Sequence, residues 1–179
     1  MPARTEVLVS GRGGQGVVRL GQILGLAAVR QGLAATMLVS HGTETRGGYV
    51  RSQVVLADGF VDSPVVERAD CFCAMSPEAY VRFKGLVTGT LVYDPDLITL
   101  DGDAARRRVP LPATALAQRE LGDRIFANAV FLGAASRILE KTLDRDQVLA
   151  AMARRIPRFP EENRRAFERG WELVRAQDP

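Results

Sequence analysis

The chain has 179 residues, of which 46% are hydrophobic and 25% are charged, a composition typical of one globular domain. No apolar run approaches the roughly 20 residues that span a bilayer and no secretory signal is visible, so we expect a cytoplasmic protein without a membrane segment. The formal net charge of +3 is spread along the chain rather than clustered among aromatic residues, which argues against nucleic-acid binding.

The first predicted strand, Glu6 to Ser10, leads directly into the sequence Gly11-Arg12-Gly13-Gly14-Gln15-Gly16. A helical pattern follows, with apolar residues at turn spacing from Val17 to Ala28. Nucleotide-binding folds place their phosphate loop in this order of strand, glycines and helix. Tight packing of the turn explains the glycines equally well, because glycine lets a strand-to-helix connection close without any ligand. The two interpretations, structural and phosphate-binding, both stay open.

The second predicted strand, Leu33 to Ser40, ends at His41 rather than at an acidic residue. A dinucleotide site needs an acid about 20 residues after its glycines to bind the ribose hydroxyls. No Asp or Glu occurs between Gly16 and Glu44, so conventional NAD binding is disfavoured. An NADP site would have to use Arg46, which lies far into the following loop.

The rest of the chain continues the pattern of short apolar runs and helical segments. Tyr49 to Ala57 is predicted as a strand, and Phe60-Val61 is predicted to pair back onto it after the Asp58-Gly59 turn. Further strands are predicted at Cys71 to Met75, Leu91 to Tyr93 and, as an edge, Arg108 to Leu111. Helices are predicted from Pro77 to Lys84, from Ile125 to Leu139, after an Asp144 cap with Gln147 reaching back, and through Phe167, Trp171 and Val174.

This alternation predicts an α/β fold: a Rossmann-like open, mainly parallel sheet flanked by helices, with C-terminal helices packed on it. We expect one domain over residues 1–179, with a sheet core in 1–112 and a helical closure in 113–179. The glycine loop, the loop 41–48, the turn after Met75 and Asp94 all follow predicted strands. Because the carboxyl ends of parallel strands meet at one edge, these segments should form one rim.

The loop Glu44-Thr45-Arg46-Gly47-Gly48 places a carboxylate and a guanidinium two residues apart, before paired glycines. It is explained either as a surface loop with an internal ion pair or as a rigid loop that recognises an anion or a partner. Cys71 and Cys73 are expected to be buried free thiols, and with the lone His41 they do not make a metal site. No nucleophile–base pair is evident, so the chain does not resemble a self-sufficient catalyst.

Taken together, these motifs resemble the gamma subunit of the 2-oxoacid:ferredoxin oxidoreductases, the family that acts on pyruvate, 2-oxoglutarate and ketoisovalerate. The resemblance rests mainly on the segments Gly11 to Val17 and Glu44 to Gly48, with Ser52 on the following strand. Asn128, ahead of Leu132-Gly133-Ala134, extends it into the C-terminal part.

The resemblance implies a subunit of an enzyme that oxidatively decarboxylates a 2-oxoacid to acyl-CoA and passes the electrons to ferredoxin. It implies that thiamine diphosphate and iron–sulfur clusters belong to alpha and beta subunits, or to a ferredoxin-like delta subunit. This chain would then bind no cofactor tightly and would carry no catalytic residue and no metal ligand. Its role would be to assist the binding of coenzyme A, the co-substrate, and to shield the active site. The residues carried over for that role are Gly11, Gly13, Gly14, Gln15, Gly16, Glu44, Arg46, Gly47 and Gly48.

Two other functions stay open on the residues alone: a free-standing NAD(P)-binding reductase and a non-enzymatic anion-binding module. The sequence does not identify which 2-oxoacid is the substrate. It also leaves open whether the glycine loop contacts coenzyme A or only a neighbouring subunit. The isolated chain is expected to be inactive, and it should either expose an apolar docking patch or dimerise.

Overall fold

The computed structural model describes residues 4–42 and 48–177 as a six-stranded sheet with helices against both faces. The strands are β1 (Arg4–Arg12), β2 (Ala34–His41), β3 (Tyr49–Ala57), β4 (Ala69–Ala74), β5 (Val87–Tyr93) and β6 (Arg107–Pro110). The helices are α1 (Val17–Arg30), α2 (Pro77–Phe83), α3 (Ala113–Leu121), α4 (Ala127–Ile138), α5 (Arg145–Arg155) and α6 (Pro160–Arg175), with a single 3₁₀ turn over Arg124–Phe126.

The strand order is β2-β3-β1-β4-β5-β6, and β3 is the strand that runs against the others. The pairs β1–β4, β4–β5 and β5–β6 are parallel, whereas β3 is antiparallel to both β1 and β2. The predicted α/β fold with a mainly parallel sheet is therefore confirmed, in a mixed form. The reversal of β3 brings its first residues, Tyr49 and Val50, beside Arg12 and Gly11 at the end of β1.

The central strand β1 separates two hydrophobic cores because successive side chains of a strand point to opposite faces. Val7 and Val9 pack in the core that contains α1, and Leu8 packs in the core that contains α2. The α1 core continues through residues of α4, α5 and α6, so the C-terminal helices cover the same face as α1. Cys71 and Cys73 are buried on this face as free thiols, as predicted. The proposed division at residue 112 stays a prediction.

The predicted hairpin at Phe60-Val61 is wrong. Neither residue is in a strand, and Phe60 is 89% exposed. The physical reason is that β3 already has a hydrogen-bonded neighbour on each side, β2 and β1, so no edge of it is free. The predicted edge strand near Arg108, by contrast, is confirmed as β6 at one end of the sheet.

Two helix starts differ in detail from the sequence prediction. The helix predicted from Ile125 begins at Ala127, because Asp123 caps the Ile125 N–H and starts a 3₁₀ turn first. Asp144 caps α5 as predicted, accepting from the backbone N–H groups two and three residues on. Gln147 does not reach back: its Oε1 accepts from Arg30 Nε, and the Asp144 N–H donates to Gln31 Oε1 instead.

Helices α4 and α6 touch backbone to backbone at two glycines. A Cβ added at Gly170 would overlap the carbonyl oxygen of Val130, and one at Gly133 would overlap that of Phe167. Because backbone atoms cannot rotate away as a side chain can, we expect Gly170→Ala to lower the free energy of unfolding by about 1–3 kcal/mol. Urea denaturation of the two proteins measures the difference.

The matched control is Gly25→Ala in α1, where an added Cβ meets nothing within 4 Å. This substitution should leave stability unchanged or raise it by up to about 1 kcal/mol, because alanine is the better helix former. Equal losses in the two variants would contradict the close approach of α4 and α6.

Candidate functional site

The described parts of the four segments predicted to share a rim lie at one edge of the sheet. The strands β1, β4 and β5 are parallel neighbours, and they end at Arg12, Ala74 and Tyr93. The strand β2 runs in the same direction, because both it and β1 are antiparallel to β3, and it ends at His41. Of the predicted loop residues, Gly48 lies half-buried immediately before β3. Glu44, Arg46 and Gly47 lie outside the described residues.

Two glycines of the loop are required by packing. A Cβ at Gly11 would lie 2.9 Å from Met75 Cβ and would overlap the Gln15 side chain. Gly16 has a φ of 82°, in the left-handed region, and a Cβ there would lie 2.5 Å from Asn128 Nδ2. The structural interpretation of the motif therefore holds for Gly11 and Gly16.

The other two glycines face open space. A Cβ added at Gly13 or Gly14 would meet no atom of the protein within 4 Å. Gly14 has a φ of 87°, which favours glycine, but no such requirement applies to Gly13. The absence of a side chain at Gly13 therefore leaves the backbone open to a molecule that approaches from outside.

Gln15 joins the glycine loop to the neighbouring turn. Its Oε1 accepts a hydrogen bond from the Arg12 N–H at 2.5 Å, and its Nε2 donates to the Met75 carbonyl at 2.8 Å. Both polar groups of this side chain are thus engaged within the protein. Gln15 acts as a positioning residue that holds the ends of β1 and β4 together.

The start of α1 provides unpaired backbone donors at the same place. Gly16 precedes the helix without a side-chain cap, and the first turn contains no acidic residue. A pocket of about 480 Å³ opens there. It is lined by Arg12, Gly13, Gly14, Gly16, Val17, Val18, Arg19, Gln22, His41 and Val50. Because helix N-termini attract negative charge and Arg12 and Arg19 are in the lining, the pocket is suited to an anion.

The basic side chains of the rim differ in their hydrogen-bond partners. Arg12 is hydrogen-bonded to Glu78 on α2, with an Nη2–Oε1 distance of 2.5 Å and an Nε–Oε2 distance of 3.2 Å. The Arg12 hydrogen bond lowers the Glu78 pKa to about 2, and the carboxylate in turn raises the pKa of Arg12. Arg19 donates to the carbonyl of Arg155 at 2.9 Å. His41 is exposed at the end of β2, where a dinucleotide fold has its ribose-binding acid.

Sequence reasoning missed Arg19 and the role of Asn128 beside Gly16. The only sequence signal for Arg19 was its place in the first turn of the helix after the glycines, which is where a side chain can reach a bound phosphate. Over residues 4–42 and 48–177, no three His, Cys, Asp or Glu side chains group as metal ligands. Within the same ranges, every helix is too short or too polar to cross a membrane.

The fold and the rim define a Rossmann-like protein with an anion-suited pocket at its glycine loop. Residues 6–173 match the family described as pyruvate ferredoxin/flavodoxin oxidoreductase. The chain belongs to this family, and it corresponds to the gamma subunit of a 2-oxoacid:ferredoxin oxidoreductase. The resemblance and the predicted role as one subunit of an oxidoreductase are thereby confirmed.

Two relatives are named 2-oxoglutarate synthase subunit KorC. The one from Archaeoglobus fulgidus is 32% identical over 177 residues, which cover 98% of this chain and 90% of that protein. The one from Methanocaldococcus jannaschii is 34% identical over 180 residues, covering 96% of this chain and 95% of that protein. Both matches extend over nearly the full length of each protein.

Solved structures share the fold. The keto/oxoacid ferredoxin oxidoreductase gamma subunit from Geobacter sulfurreducens superposes with a TM-score of 0.83 at 31% identity, covering 96% of this chain and 99% of that one. The 2-oxoglutarate:ferredoxin oxidoreductase from Magnetococcus marinus gives a TM-score of 0.84 at 23% identity, covering 98% of this chain and 32% of that one. This second likeness shows the fold alone.

The ion pair between Arg12 and Glu78 predicts how the Glu78 carboxyl titrates. Because the folded-state pKa of Glu78 lies below its ordinary value of 4.5, the pair stabilises the fold above that pH, and its contribution is lost as the pH falls toward 2. We expect Arg12→Met to raise the Glu78 pKa toward the ordinary value, measured by NMR titration of the side-chain carboxyl carbon.

Glu120 provides the internal control for that titration. Its pKa is lowered mainly by a hydrogen bond from Arg169, a different arginine on α6, and should not change in Arg12→Met. A wild-type Glu78 that titrates near 4.5 would show that the ion pair does not form.

Proposed function

We propose that this chain binds the phosphate groups of coenzyme A at its glycine loop, within a 2-oxoglutarate:ferredoxin oxidoreductase, and shields the active site of its partner subunits. The observation that carries the proposal is the difference between the packed and the open glycines of the loop. Gly11 and Gly16 are packed against the protein, whereas Gly13 and Gly14 leave one side of the backbone open.

The charges around the open side support a phosphate ligand. The uncapped start of α1 directs backbone N–H groups to the pocket. Arg19 and His41 line the same pocket and add side-chain donors to it. Arg12 contributes less, since its charge is paired with Glu78. Glu44, Arg46, Gly47 and Gly48 remain proposed members of this site.

The oxoacid is proposed from the relatives whose full length this chain matches. Those at 32–34% identity, covering 90% or more of each protein, are named 2-oxoglutarate synthase subunits. A ketoisovalerate oxidoreductase subunit is also 32% identical, but the match covers only 27% of that protein. The Magnetococcus marinus enzyme of the same fold was solved with 2-oxoglutarate, coenzyme A and succinyl-CoA bound.

The partners follow from this assignment. We infer that alpha and beta subunits, with a ferredoxin-like delta subunit where one exists, carry thiamine diphosphate and the iron–sulfur clusters, and that ferredoxin accepts the electrons. Cys71 and Cys73 are fully buried in the sheet core of this chain, which supports the inference that they serve in packing. The assembled enzyme is accordingly the form in which turnover is to be measured.

Substitution of Gly13 tests the phosphate site without disturbing the fold. Gly13→Ala adds a methyl group into open space, so stability should not change, but the group would stand between the backbone and a phosphate. We expect the KM for coenzyme A in the assembled enzyme to rise about tenfold, which corresponds to roughly 1.4 kcal/mol of lost binding.

The matched control is Gly85→Ala, which also adds its Cβ into open space, in the turn between α2 and β5 at the far end of the sheet. It should leave both stability and the KM for coenzyme A unchanged. An unchanged KM in Gly13→Ala would count against a phosphate at the loop.

Purification of the tagged chain tests the assembly and the substrate together. We expect partner chains to co-purify with bound thiamine diphosphate and iron, and the complex to reduce ferredoxin faster with 2-oxoglutarate than with pyruvate or 2-oxoisovalerate. A chain that purifies alone and binds NADH or NADPH at millimolar concentration would instead support the free-standing reductase.

A further inference from the structure

The strand β2 forms one edge of the sheet and has a single hydrogen-bonded neighbour in the described part of the chain. It is the first strand in the order β2-β3-β1-β4-β5-β6, so only β3 pairs with it. Successive residues of a strand direct their backbone groups to opposite sides, so about half of the eight residues of β2 present N–H and C=O groups outward. Another strand can pair with these groups.

The β2 edge lacks the features that usually prevent such pairing. Its sequence, AATMLVSH over residues 34–41, contains no lysine, arginine, carboxylate or proline, and its register with β3 is continuous, without a bulge. Five of its eight residues are apolar, and none of the eight is buried. The opposite edge of the sheet is protected, because β6 has only four residues, of which two are arginines and one is proline. Strand pairing is therefore blocked at β6 and open at β2.

Helix α1 presents an apolar stripe beside the same edge. Gly21, Gly25 and Val29 recur at intervals of four residues, so they lie along one face of the helix. A Cβ added at Gly21 would lie 3.0 Å from the Cε atom of Met37 in β2, which places this stripe on the β2 side of the helix. Another side of α1 is covered by α5, to which Arg30 is hydrogen-bonded.

Contacts within the chain do not account for the outer part of this stripe. Val29 is 56% exposed. A Cβ added at Gly25 would meet no atom within 4 Å, its φ is not positive, and glycine is less favourable than alanine inside a helix. On the strand, the apolar side chain of Leu38 is 37% exposed. Leu38, Gly25 and Val29 thus mark an uncharged surface formed by β2 and α1, which we call the β2–α1 face.

We propose that the β2–α1 face binds a second copy of this chain, with β2 paired antiparallel to the β2 strand of that copy. A two-fold axis perpendicular to the sheet relates the copies, so each presents the same residues to the other. The sheet continues across the axis at the usual strand spacing of about 4.8 Å. Because α1 packs over β2 and β3, its axis comes roughly 10 Å from that of the second α1, the separation at which helices pack.

The distribution of charge favours a second copy as the occupant. Each chain has a formal net charge of +3, so two copies repel each other unless their contact is free of cations. The strand β2 contains no lysine or arginine, and the stripe of Gly21, Gly25 and Val29 is uncharged. His41, the one titratable residue of β2, is its last residue, so antiparallel pairing keeps the two histidines at opposite ends of the contact. This inference does not depend on the proposed phosphate site.

Leu38→Lys tests the strand pairing. Lysine on an edge strand opposes pairing, and position 38 is near the middle of β2, where the two-fold axis brings the two ammonium groups within a Debye length of about 10 Å. The Leu38 side chain is already partly exposed, so the single chain should keep its fold, which circular dichroism checks. In sedimentation velocity at about 100 µM, we expect wild type to be a dimer and the dissociation constant of the variant to be at least about tenfold higher.

Val29→Lys tests the helix part of the same face. A cation is favourable near the C-terminal end of α1, so the variant should fold normally and still weaken the dimer. The matched control is Val81→Lys, which adds the same charge at a side chain of similar exposure, 60%, on α2. The control should sediment as wild type does. Equal weakening in the control would trace the loss to net charge and overturn the assignment of the face.

Mixing two variants tests whether the occupant is a second copy. Leu38→Lys and Leu38→Glu should each be monomeric alone, and an equimolar mixture should form a heterodimer because opposite charges then meet across the axis. A mixture that stays monomeric overturns the pairing of β2 with β2. So does wild type that is monomeric at the same concentration, or a Leu38→Lys chain that dimerises as wild type does. A variant that stays dimeric but recovers fewer partner subunits from cells assigns the edge to those subunits instead and also overturns the proposal.

Discussion

The shape of the rim depends on Gln15, whose side-chain amide is hydrogen-bonded at both of its polar atoms. It accepts from Arg12 at the end of the central strand and donates to the carbonyl of Met75 after the neighbouring strand. The same side chain occupies the space into which a side chain at Gly11 would extend. Gly11 and Gln15 therefore form one packing unit, and the open side at Gly13 is held in place before any ligand binds. Preorganisation of this kind reduces the entropy lost when a ligand binds.

Local patterns predicted most of the strands and helices. Apolar residues recur every two positions in a strand and every 3.6 positions in a helix, and this spacing is visible within a short segment. They did not predict where β3 lies. The alternation of Tyr49–Ala57 indicated a strand, but its neighbours in the sheet are set by pairing with β1 and β2, which no local pattern records. The wrong hairpin at Phe60-Val61 has the same origin, since it required an edge of β3 that β1 and β2 already occupy.

The candidate site was predictable as a loop but not residue by residue. Glycines 11, 13, 14 and 16 look alike in the sequence. Which of them are packed and which are open depends on Met75 and Asn128, which come from distant parts of the chain. The left-handed backbone of Phe159, the residue before α6, carried no sequence signal at all, because such backbone is expected at glycine or asparagine. The conformation is held by hydrogen bonds from Asn163, in the first turn of α6, to the carbonyls of Arg158 and Phe159.

The charges at the rim fit the proposed role in binding better than a role in proton transfer. The ion pair of Arg12 and Glu78 moves both pKa values away from neutrality, so neither group exchanges a proton readily near pH 7. The Arg19 guanidinium is anchored to the carbonyl of Arg155, at the C-terminal end of α5, where a cation is favoured. Under the function we propose, binding energy supplied in this way would position a co-substrate for chemistry that other subunits perform. A chain with that role would contribute to turnover only in the assembled enzyme.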